Sequence, residues 1–295
     1  AGAFFGINSY SQTGNTIVIT ITADVTEPNA GNVALVAGAW TSMLIQPSGG
    51  SWTISASVSS GGMIALNGAD NVTIDGSISG VTSLTITNTN SSGTAMAIKL
   101  YNDATNNTIK YCNLKGRNAA ARSATDGGII TIAGTTGSTG NDNNYIQNCD
   151  FGPDAATLPY ILIKGYGSVN SNDLCQVTNC TLHDWIDLTA ANSSCAIYLA
   201  STFVSSWTIS GNKLYQSATR DITAGGANDF YGIEIEGGGG YTISNNTIGY
   251  SSSSGTGYLT YTDNISGAHT SIDLYPIYLN LSTVTSSTIS GNIIT

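Results

Sequence analysis

The sequence is poor in charge, and above all in basic residues. Only 9% of its 295 residues are charged, against about 25% in an average soluble protein. There are 8 Lys plus Arg against 18 Asp plus Glu, so the formal net charge is −10. A protein that binds nucleic acid needs clustered basic residues to neutralise phosphates. The composition therefore argues against a nucleic-acid partner.

Long apolar runs are missing as well. No stretch reaches the roughly 18 consecutive apolar residues that indicate a membrane-spanning helix, so we expect no membrane span. No window keeps a helical period of apolar residues either. With 41% hydrophobic residues, the chain still has enough apolar side chains for a large core, which excludes a disordered protein.

The 5 cysteines show none of the spacings that are typical of metal sites. We predict no cofactor and no metal, although the oxygen-rich loops 102–107 (NDATNN) and 141–144 (NDNN) leave calcium binding open. All five thiols are expected to point inward as small buried hydrophobes. For Cys175 and Cys195 this follows because each lies two residues before an inward Val or Ile. A disulfide between adjacent repeats stays an alternative.

A pattern of short strand, polar bend and short strand recurs six times. The segments are NTIKYCNLK from 107, NYIQNCDFG from 144, CQVTNCTLH from 175, WTISGNKLY from 207, YTISNNTIG from 241 and STISGNIIT from 287. Their third residues form an apolar column: Ile109, Ile146, Val177, Ile209, Ile243 and Ile289. A further strand with an apolar pair precedes each segment: Ile98/Leu100, Ile130/Ile132, Ile161/Ile163, Ile197/Leu199, Ile233/Ile235 and Ile277/Leu279. An earlier copy, Ile64/Leu66 followed by NVTIDG, makes seven.

These copies follow one another at steps of 31 to 44 residues, which is typical of stacked repeats that bury their apolar edges on each other. Apolar residues alternate with period two, and Gly, Asn, Ser and Asp separate the runs. We therefore predict an all-β fold, a right-handed parallel β-helix of about seven or more coils. Residues 1–60 are expected to form an N-terminal cap and an irregular first coil, and residues 61–295 one continuous domain of repeats.

A second column of the alignment lies at the polar bend. It is predicted to form a ladder of inward side chains, because like residues stack on like in an in-register coil about 4.8 Å above the last. Buried amides in such a ladder can bond their copies above and below. The ladder comprises Cys112, Cys149, Cys180, Asn212, Asn246 and Asn292.

The outward positions of the first strand offer a candidate binding face, which mixes Tyr, Lys and Glu. Alternation places Leu162 in this column and the following residues on the face: Lys99, Tyr101, Lys164, Tyr198, Glu234, Glu236 and Tyr278. An ordinary exposed sheet face is the alternative. Glu234 and Glu236 share one side of a strand, and paired carboxylates about 5 to 9 Å apart perform glycoside hydrolysis, so a catalytic pair remains open beside a solvated acidic spot.

The two histidines are further candidates for a catalytic role. His183 lies beside Asp184 and Asp187 after a strand, and His269 lies in a long loop. Neither has a recognisable nucleophile partner in the sequence. We therefore predict no catalytic residue.

The segments NVTIDG, NDATNNTI, GNDNNYIQNC, WTISGNKLYQ and YTISNNTIG resemble the parallel β-helix repeats of large secreted bacterial proteins. More narrowly, residues 61–295 resemble surface proteins of Bacteroidetes-type bacteria that the type IX system exports. This resemblance implies an extracellular, cell-surface location. The fold is also similar to that of pectate lyases and polygalacturonases, but their catalytic motifs are missing. Arg117, Arg122 and Arg220 are expected in loops, away from any acidic column.

Together these features predict a non-catalytic extracellular β-solenoid with a structural or adhesive role. Its expected partners are cell-surface glycans or further copies of the chain, joined laterally or end to end into a filament. The alternative is a polysaccharide-binding module, or a polysaccharide lyase or glycoside hydrolase of pectate-lyase-like fold. A viral tail-spike fragment is a third hypothesis. Because residues 287–295 stop inside a repeat, we expect either a piece of a longer chain or a stacking surface.

Overall fold

The computed structural model describes residues 2–29, 32–188, 192–223, 229–263 and 273–295. Within them the chain forms one short helix, α1 (Ala3–Asn8), and 32 strands, which we number in chain order. Three long sheets, here called A, B and C, hold most of these strands. The remaining six pair two by two: β8 (Ser77–Ile78) with β9 (Val81–Thr82), β18 (Asn172–Asp173) with β22 (Val204–Ser205), and β25 (Arg220–Ile222) with β29 (Tyr261–Asp263).

Sheets A and B lie on either side of the polar bend. Sheet A contains β1 (Thr16–Ile21), β4 (Ser42–Pro47), β7 (Val72–Asp75), β12 (Thr108–Lys110), β15 (Tyr145–Gln147), β19 (Gln176–Thr178), β23 (Thr208–Ser210), β27 (Thr242–Ser244) and β31 (Thr288–Ser290). Sheet B contains β2 (Val25–Thr26), β5 (Trp52–Ala56), β10 (Leu84–Asn88), β13 (Cys112–Gly116), β16 (Asp150–Pro153), β20 (Thr181–His183), β24 (Lys213–Tyr215), β28 (Thr247–Tyr250) and β32 (Ile293–Ile294).

Sheet C carries the candidate binding face. It contains β3 (Leu35–Val36), β6 (Ser60–Asn67), β11 (Thr94–Tyr101), β14 (Ile130–Ile132), β17 (Ile161–Gly165), β21 (Ser194–Leu199), β26 (Asp229–Glu236) and β30 (Asp273–Asn280). The chain visits A, B and C in turn, and each strand pairs in parallel with its counterpart one coil on. Ile109 thus pairs with Ile146, which lies beside Val177.

This architecture is a parallel β-helix, which confirms the predicted fold class. Sheet A has nine strands in the described part of the chain. The right-handed sense of the coil stays a prediction. The sheets run across residue 60, since β4 pairs with β7 and β3 with β6. Phe4 and Ile7 of α1 pack against the core of the first coils. The division into a cap and a repeat domain at this boundary stays a prediction.

The bend between sheets A and B has the same backbone in six successive coils. One residue there has a positive φ: Tyr111, Asn148, Asn179, Gly211, Asn245 and Gly291. Gly and Asn tolerate this left-handed conformation best, which explains the recurring SGN and SNN sequences. The bend turns the next side chain inward, and that side chain is the Cys or Asn of the ladder.

The ladder residues lie where the alignment placed them. Cys112, Cys149 and Cys180 are buried, and the side-chain oxygen of Asn212 accepts the backbone N–H of Cys180 at 2.9 Å. The Asn246 oxygen accepts from the backbone and the side chain of Asn212 at 3.0 and 2.9 Å. Asn292 does the same for Asn246, at 3.0 and 2.9 Å. Each amide therefore satisfies polar groups of its neighbour inside the core.

The predicted alternation is wrong by two residues in one coil. Ile163, not Ile161, pairs with Ile130, so Lys164 rather than Leu162 occupies the outward column, and Gly165 takes the inward place of a Leu. A Cβ on Gly165 would lie 2.7 Å from the Leu199 side chain and 3.1 Å from the ring of Trp207. Trp207 of the next coil fills this space. The apolar pattern of the sequence therefore does not reveal that Gly165 replaces a Leu.

Candidate functional site

Register builds the candidate site on sheet C. Lys164 pairs with Tyr198, Tyr198 with Glu234, and Glu234 with Tyr278, so four consecutive coils present one column of side chains. These residues point away from the main core, yet Lys164 and Glu234 are fully buried and Tyr198 is 4% exposed. Something therefore covers the sheet at this point.

The cover is residues 117–128, here called the strap, which contain no helix or strand. The strap leaves sheet B after β13 and contacts side chains of β14, β17 and β21, and the side chain of Arg122 reaches β26. The ammonium of Lys164 donates to the backbone carbonyl of Arg122 at 3.1 Å and to that of Ala124. Ala120 is buried in the same small cluster as Tyr198. The side chain of Lys99 pairs with Asp126 at 2.8 Å near the far end of the strap.

Arg122 joins the strap to the two glutamates. Its guanidinium donates to Glu234 at 2.6 Å and to Glu236 at 3.3 Å. The prediction that Arg122 lies away from any acidic column is therefore wrong. The alignment treated the strap as a loop of its own coil, whereas it runs over later coils. Arg117 stays local and pairs with Asp154 at 2.5 Å.

One carboxylate oxygen of each glutamate accepts a hydrogen bond from Arg122, and the other accepts one from a residue of sheet C. The second oxygen of Glu234 accepts from the thiol of Cys195 at 2.7 Å. The second oxygen of Glu236 accepts from the hydroxyl of Tyr198 at 2.8 Å. Strand residues therefore hold one oxygen of each carboxylate, and the strap holds the other.

Cys195 does not belong to the main core, although it is buried and was predicted to point inward. It clusters with Tyr198 and Tyr231, while Ala196 and Ile197 both belong to the main core. Two consecutive inward residues interrupt the alternation, so Cys195 faces the strap instead. The alignment held a signal for this, because Cys195 shares its column with Tyr231 and Tyr275.

Burial and charge perturb the acid–base groups here. Burial raises the pKa of Glu234 from 4.5 to about 7, against the opposing hydrogen bond of Cys195 and charge of Arg122. Burial also lowers the pKa of Lys164 to about 8. For Arg122, burial alone would lower the pKa, but the charges of Glu234 and Glu236 outweigh it and raise the pKa. The Arg122–Glu234 pair is therefore ionised most fully above neutral pH.

Aromatic rings extend the site toward the last coil. The rings of Tyr231 and Tyr275 stack with centroids 5.0 Å apart, and Tyr278 meets both edge on. The guanidinium of Arg122 lies 5.3 Å from the ring of Tyr231 and 5.6 Å from that of Tyr198. Tyr198 and Tyr278 are among the residues predicted for the binding face, whereas Tyr231 and Tyr275 are not.

Lys99 and Tyr101 lie at a separate cleft. Lys99 stands over the Tyr101 ring at 5.1 Å, and both line a cavity of about 400 Å³ with Ser59, Ser60 and Asn32. Both side chains are half-buried. The predicted face is thus divided between an open cleft and the covered glutamate site.

His183 lies on sheet B, at the end of β20. Its ring bonds Asp184 at 2.8 Å and approaches Asp150 at 3.6 Å. Burial alone would lower the pKa of His183, but the hydrogen bonds to these carboxylates outweigh it and raise the pKa. Asp187 lies elsewhere and accepts from Asn192 at 3.0 Å. His269 lies outside the described residues.

A metal site needs several His, Cys, Asp or Glu side chains at one point. Over residues 2–29, 32–188, 192–223, 229–263 and 273–295, no group of three or more His, Cys, Asp or Glu side chains is placed to hold a metal ion. In the loops that left calcium open, Asn141 accepts the backbone N–H of Ala104 at 2.9 Å, and Asn144 that of Asn107 at 3.0 Å. These amide oxygens therefore serve the backbone. The helix in the described segments is too short to cross a membrane.

Comparison with known proteins adds little. No protein-family model and no curated protein matches the chain. The structure of the Streptococcus pneumoniae surface protein and adhesin PfbA is similar at 11% identity and a TM-score of 0.35, covering 94% of this chain and 91% of that one. A crystal structure of the same adhesin gives 11% identity and a TM-score of 0.32, covering 92% and 85%. Values of this size assign no function, and the fold rests on the strand register itself.

Proposed function

We propose that the chain is a non-catalytic, extracellular β-solenoid with a structural or adhesive role. Three sheets run through its coils in register, and buried amide ladders tie successive coils together. Such a coil is a stiff rod, because each inner strand of the three sheets is hydrogen-bonded to the coils on both sides. The resemblance of its repeats to secreted bacterial surface proteins supports the extracellular location.

The single observation that carries the non-catalytic assignment is the state of Glu234. A glycosidase needs one carboxyl group that can donate a proton to the substrate and a second that can reach the sugar or a water. Glu234 has no exposed surface, and Arg122 and Cys195 occupy its two oxygens. A sugar chain on the outside of the protein has no access to it.

The test is product release from polysaccharides. The full chain, incubated with uronic-acid polymers and with neutral glycans, is expected to release neither unsaturated sugar ends nor new reducing ends. Turnover that disappears in Glu234→Ala and Glu236→Ala variants would reverse the assignment and establish the enzyme. Turnover that persists in both variants would place an active site elsewhere and equally contradict the proposal.

The open cleft favours glycan binding as a second function. Its lining combines the Tyr101 ring, the Lys99 ammonium and the hydroxyls of Ser59 and Ser60, a mixture of apolar and hydrogen-bonding groups that is usual in ligand clefts. On a glycan array, wild-type protein is expected to bind and a Tyr101→Ala variant to lose at least tenfold in affinity. Tyr278→Ala, on the other part of the face, is the matched control. Equal binding by all three would rule out the cleft.

Self-association is the remaining part of the proposal. A parallel coil can associate with further copies end to end, by pairing between terminal strands, or laterally, by contact between sheet faces. We expect the chain to self-associate in one of these ways. Sedimentation of the isolated chain tests this, because a monomer at high concentration would exclude it.

A further inference from the structure

The residues that contact Arg122 form a binding site for its side chain. A guanidinium is planar and presents a fork of N–H donors, which carboxylates bind most specifically. Aromatic faces attract it through the cation–π interaction. The strands supply both kinds of group around one point. We call this arrangement the seat, and it consists of Glu234, Glu236, Tyr198 and Tyr231.

The seat is built from strand residues, and the strap supplies none of its members. All its members stand on β21 and β26, whose register fixes them, and Cys195 and Tyr198 hold the outer oxygens of the glutamates. The free oxygens are thus aimed at the place that the guanidinium occupies. A site that is ordered before its ligand arrives loses little entropy on binding.

The strap covers the seat with few apolar contacts. Its middle, residues 119–124, reads AAARSA, so its only long side chain is that of Arg122. The two ends are fixed separately, by Arg117 on Asp154 and by Lys99 on Asp126. The side chains of Arg122 and Glu236 keep 29% and 32% of their surface in contact with solvent. An incoming side chain therefore reaches the rim of the seat while the strap stays anchored.

We propose that the seat is a guanidinium-binding site. Arg122 of the same chain occupies it in cis, and an arginine side chain of a partner protein takes the place of Arg122 in trans. The acidic character of the chain, at a net charge of −10, favours a basic partner. This inference goes beyond the proposed function, because it concerns one site and holds whether or not the solenoid is adhesive.

Chemical rescue tests the site. The Arg122→Ala variant lacks the positive charge that lowers the pKa of Glu234, so this pKa lies above the wild-type value of about 7. In the full-length variant, at a pH well above 7, methylguanidine is expected to raise the melting temperature in a saturable way. Methylammonium has the same charge but lacks the planar fork, so its apparent affinity should be at least tenfold weaker. The control is Arg117→Ala, whose guanidinium is similarly exposed at 27% but has a single carboxylate partner. Equal rescue by both cations, or none, overturns the site.

Displacement is tested on the wild-type chain, so it does not depend on the variant folding. The side-chain resonance of ¹⁵N-labelled Arg122 is followed while a short arginine-containing peptide is added. The expected result is a saturable change of that resonance, with a lysine version of the peptide at least tenfold less effective. A resonance that stays unchanged, or equal effects of the two peptides, overturns binding in trans.

Discussion

The guanidinium of Arg122 lies 2.6 Å from the buried carboxylate of Glu234, although 112 residues separate them in the chain. This pair links the strap, which leaves the coil early, to a strand that forms several coils later. A buried charge that loses its partner is costly, on the order of 3 to 5 kcal/mol. The pair therefore ties the strap to the glutamate part of the sheet C face, and the predictions on Glu234 and on the strap follow from that.

Stability should depend on pH through Glu234. Its pKa is raised from 4.5 to about 7 in the folded chain, so the folded state holds a proton that the unfolded state has lost. The contribution of Glu234 is fully present below pH 4.5 and is lost as the pH rises through 7. In Glu234→Gln this loss cannot occur. Wild type should lose roughly 3 kcal/mol relative to the variant over that window.

Urea unfolding of both proteins across the pH range measures this difference. The groups that face Glu234 are Arg122, Cys195, Tyr198 and Glu236, and all are present in both chains. Parallel pH profiles of wild type and variant would show that Glu234 has an ordinary pKa, and the account of its burial would be wrong.

The amide ladder should be worth several hydrogen bonds. Asn246→Ala removes the acceptor of the Asn212 backbone N–H, which lies inside the core. An unsatisfied buried group costs about 1 to 3 kcal/mol, so the free energy of unfolding should fall by roughly 2 to 4 kcal/mol. Ser244→Ala in the same coil removes a half-buried hydroxyl pair with Ser210 and should cost under about 0.5 kcal/mol. Equal losses in the two variants contradict the ladder.

The bend before Cys112 should carry backbone strain. Tyr111 has φ 53°, where the other coils use Asn or Gly, and a bulky side chain disfavours this conformation. Tyr111→Asn should therefore raise the free energy of unfolding by roughly 0.5 to 1 kcal/mol. Tyr145→Asn changes a half-buried Tyr inside β15, and we expect it to be neutral or destabilising. A stabilised Tyr145→Asn would show that loss of the ring, not relief of strain, matters.

Thiol labelling should report on the strap. All five cysteines are free and buried, so the native chain should react slowly with alkylating reagents. Arg122→Ala leaves the ends of the strap anchored but removes the side chain that lies beside Glu234 and Cys195, and labelling of Cys195 should accelerate at least tenfold. Arg220→Ala, which breaks an ion pair with Asp184 on another part of the coil, is the control. Acceleration at Cys112 or Cys149 instead would mean general unfolding rather than strap release.

Local periodicity was enough to predict the coil. The apolar columns through Ile109 and Ile243 predict the register, and the bend column predicts which residues stack as a ladder. Both follow because each residue meets its own counterpart one repeat away. The sequence also placed Tyr198, Glu234 and Tyr278 in one column.

Contacts that do not repeat were beyond the reach of the sequence. Nothing in the spacing of residues 117–128 shows over which coils the strap will lie, so the role of Arg122 was missed. Gly165 stands at an inward position where a Leu is expected, and Trp207 of the next coil fills the space. The apolar pattern in the sequence therefore appears shifted by two residues. Cys195 was misplaced because Ala196 and Ile197 both turn inward after it.

The most direct test is a double-mutant cycle between Arg122→Ala and Glu234→Gln, measured by urea unfolding at a pH well above 7, because removal of the Arg122 charge raises the Glu234 pKa beyond its wild-type value of about 7. The two side chains meet only if the coils stack in the observed register and the strap crosses them. The account predicts a coupling free energy of about 1 to 3 kcal/mol. Strictly additive effects, within about 0.5 kcal/mol, would show that Arg122 does not reach Glu234 and would contradict the account.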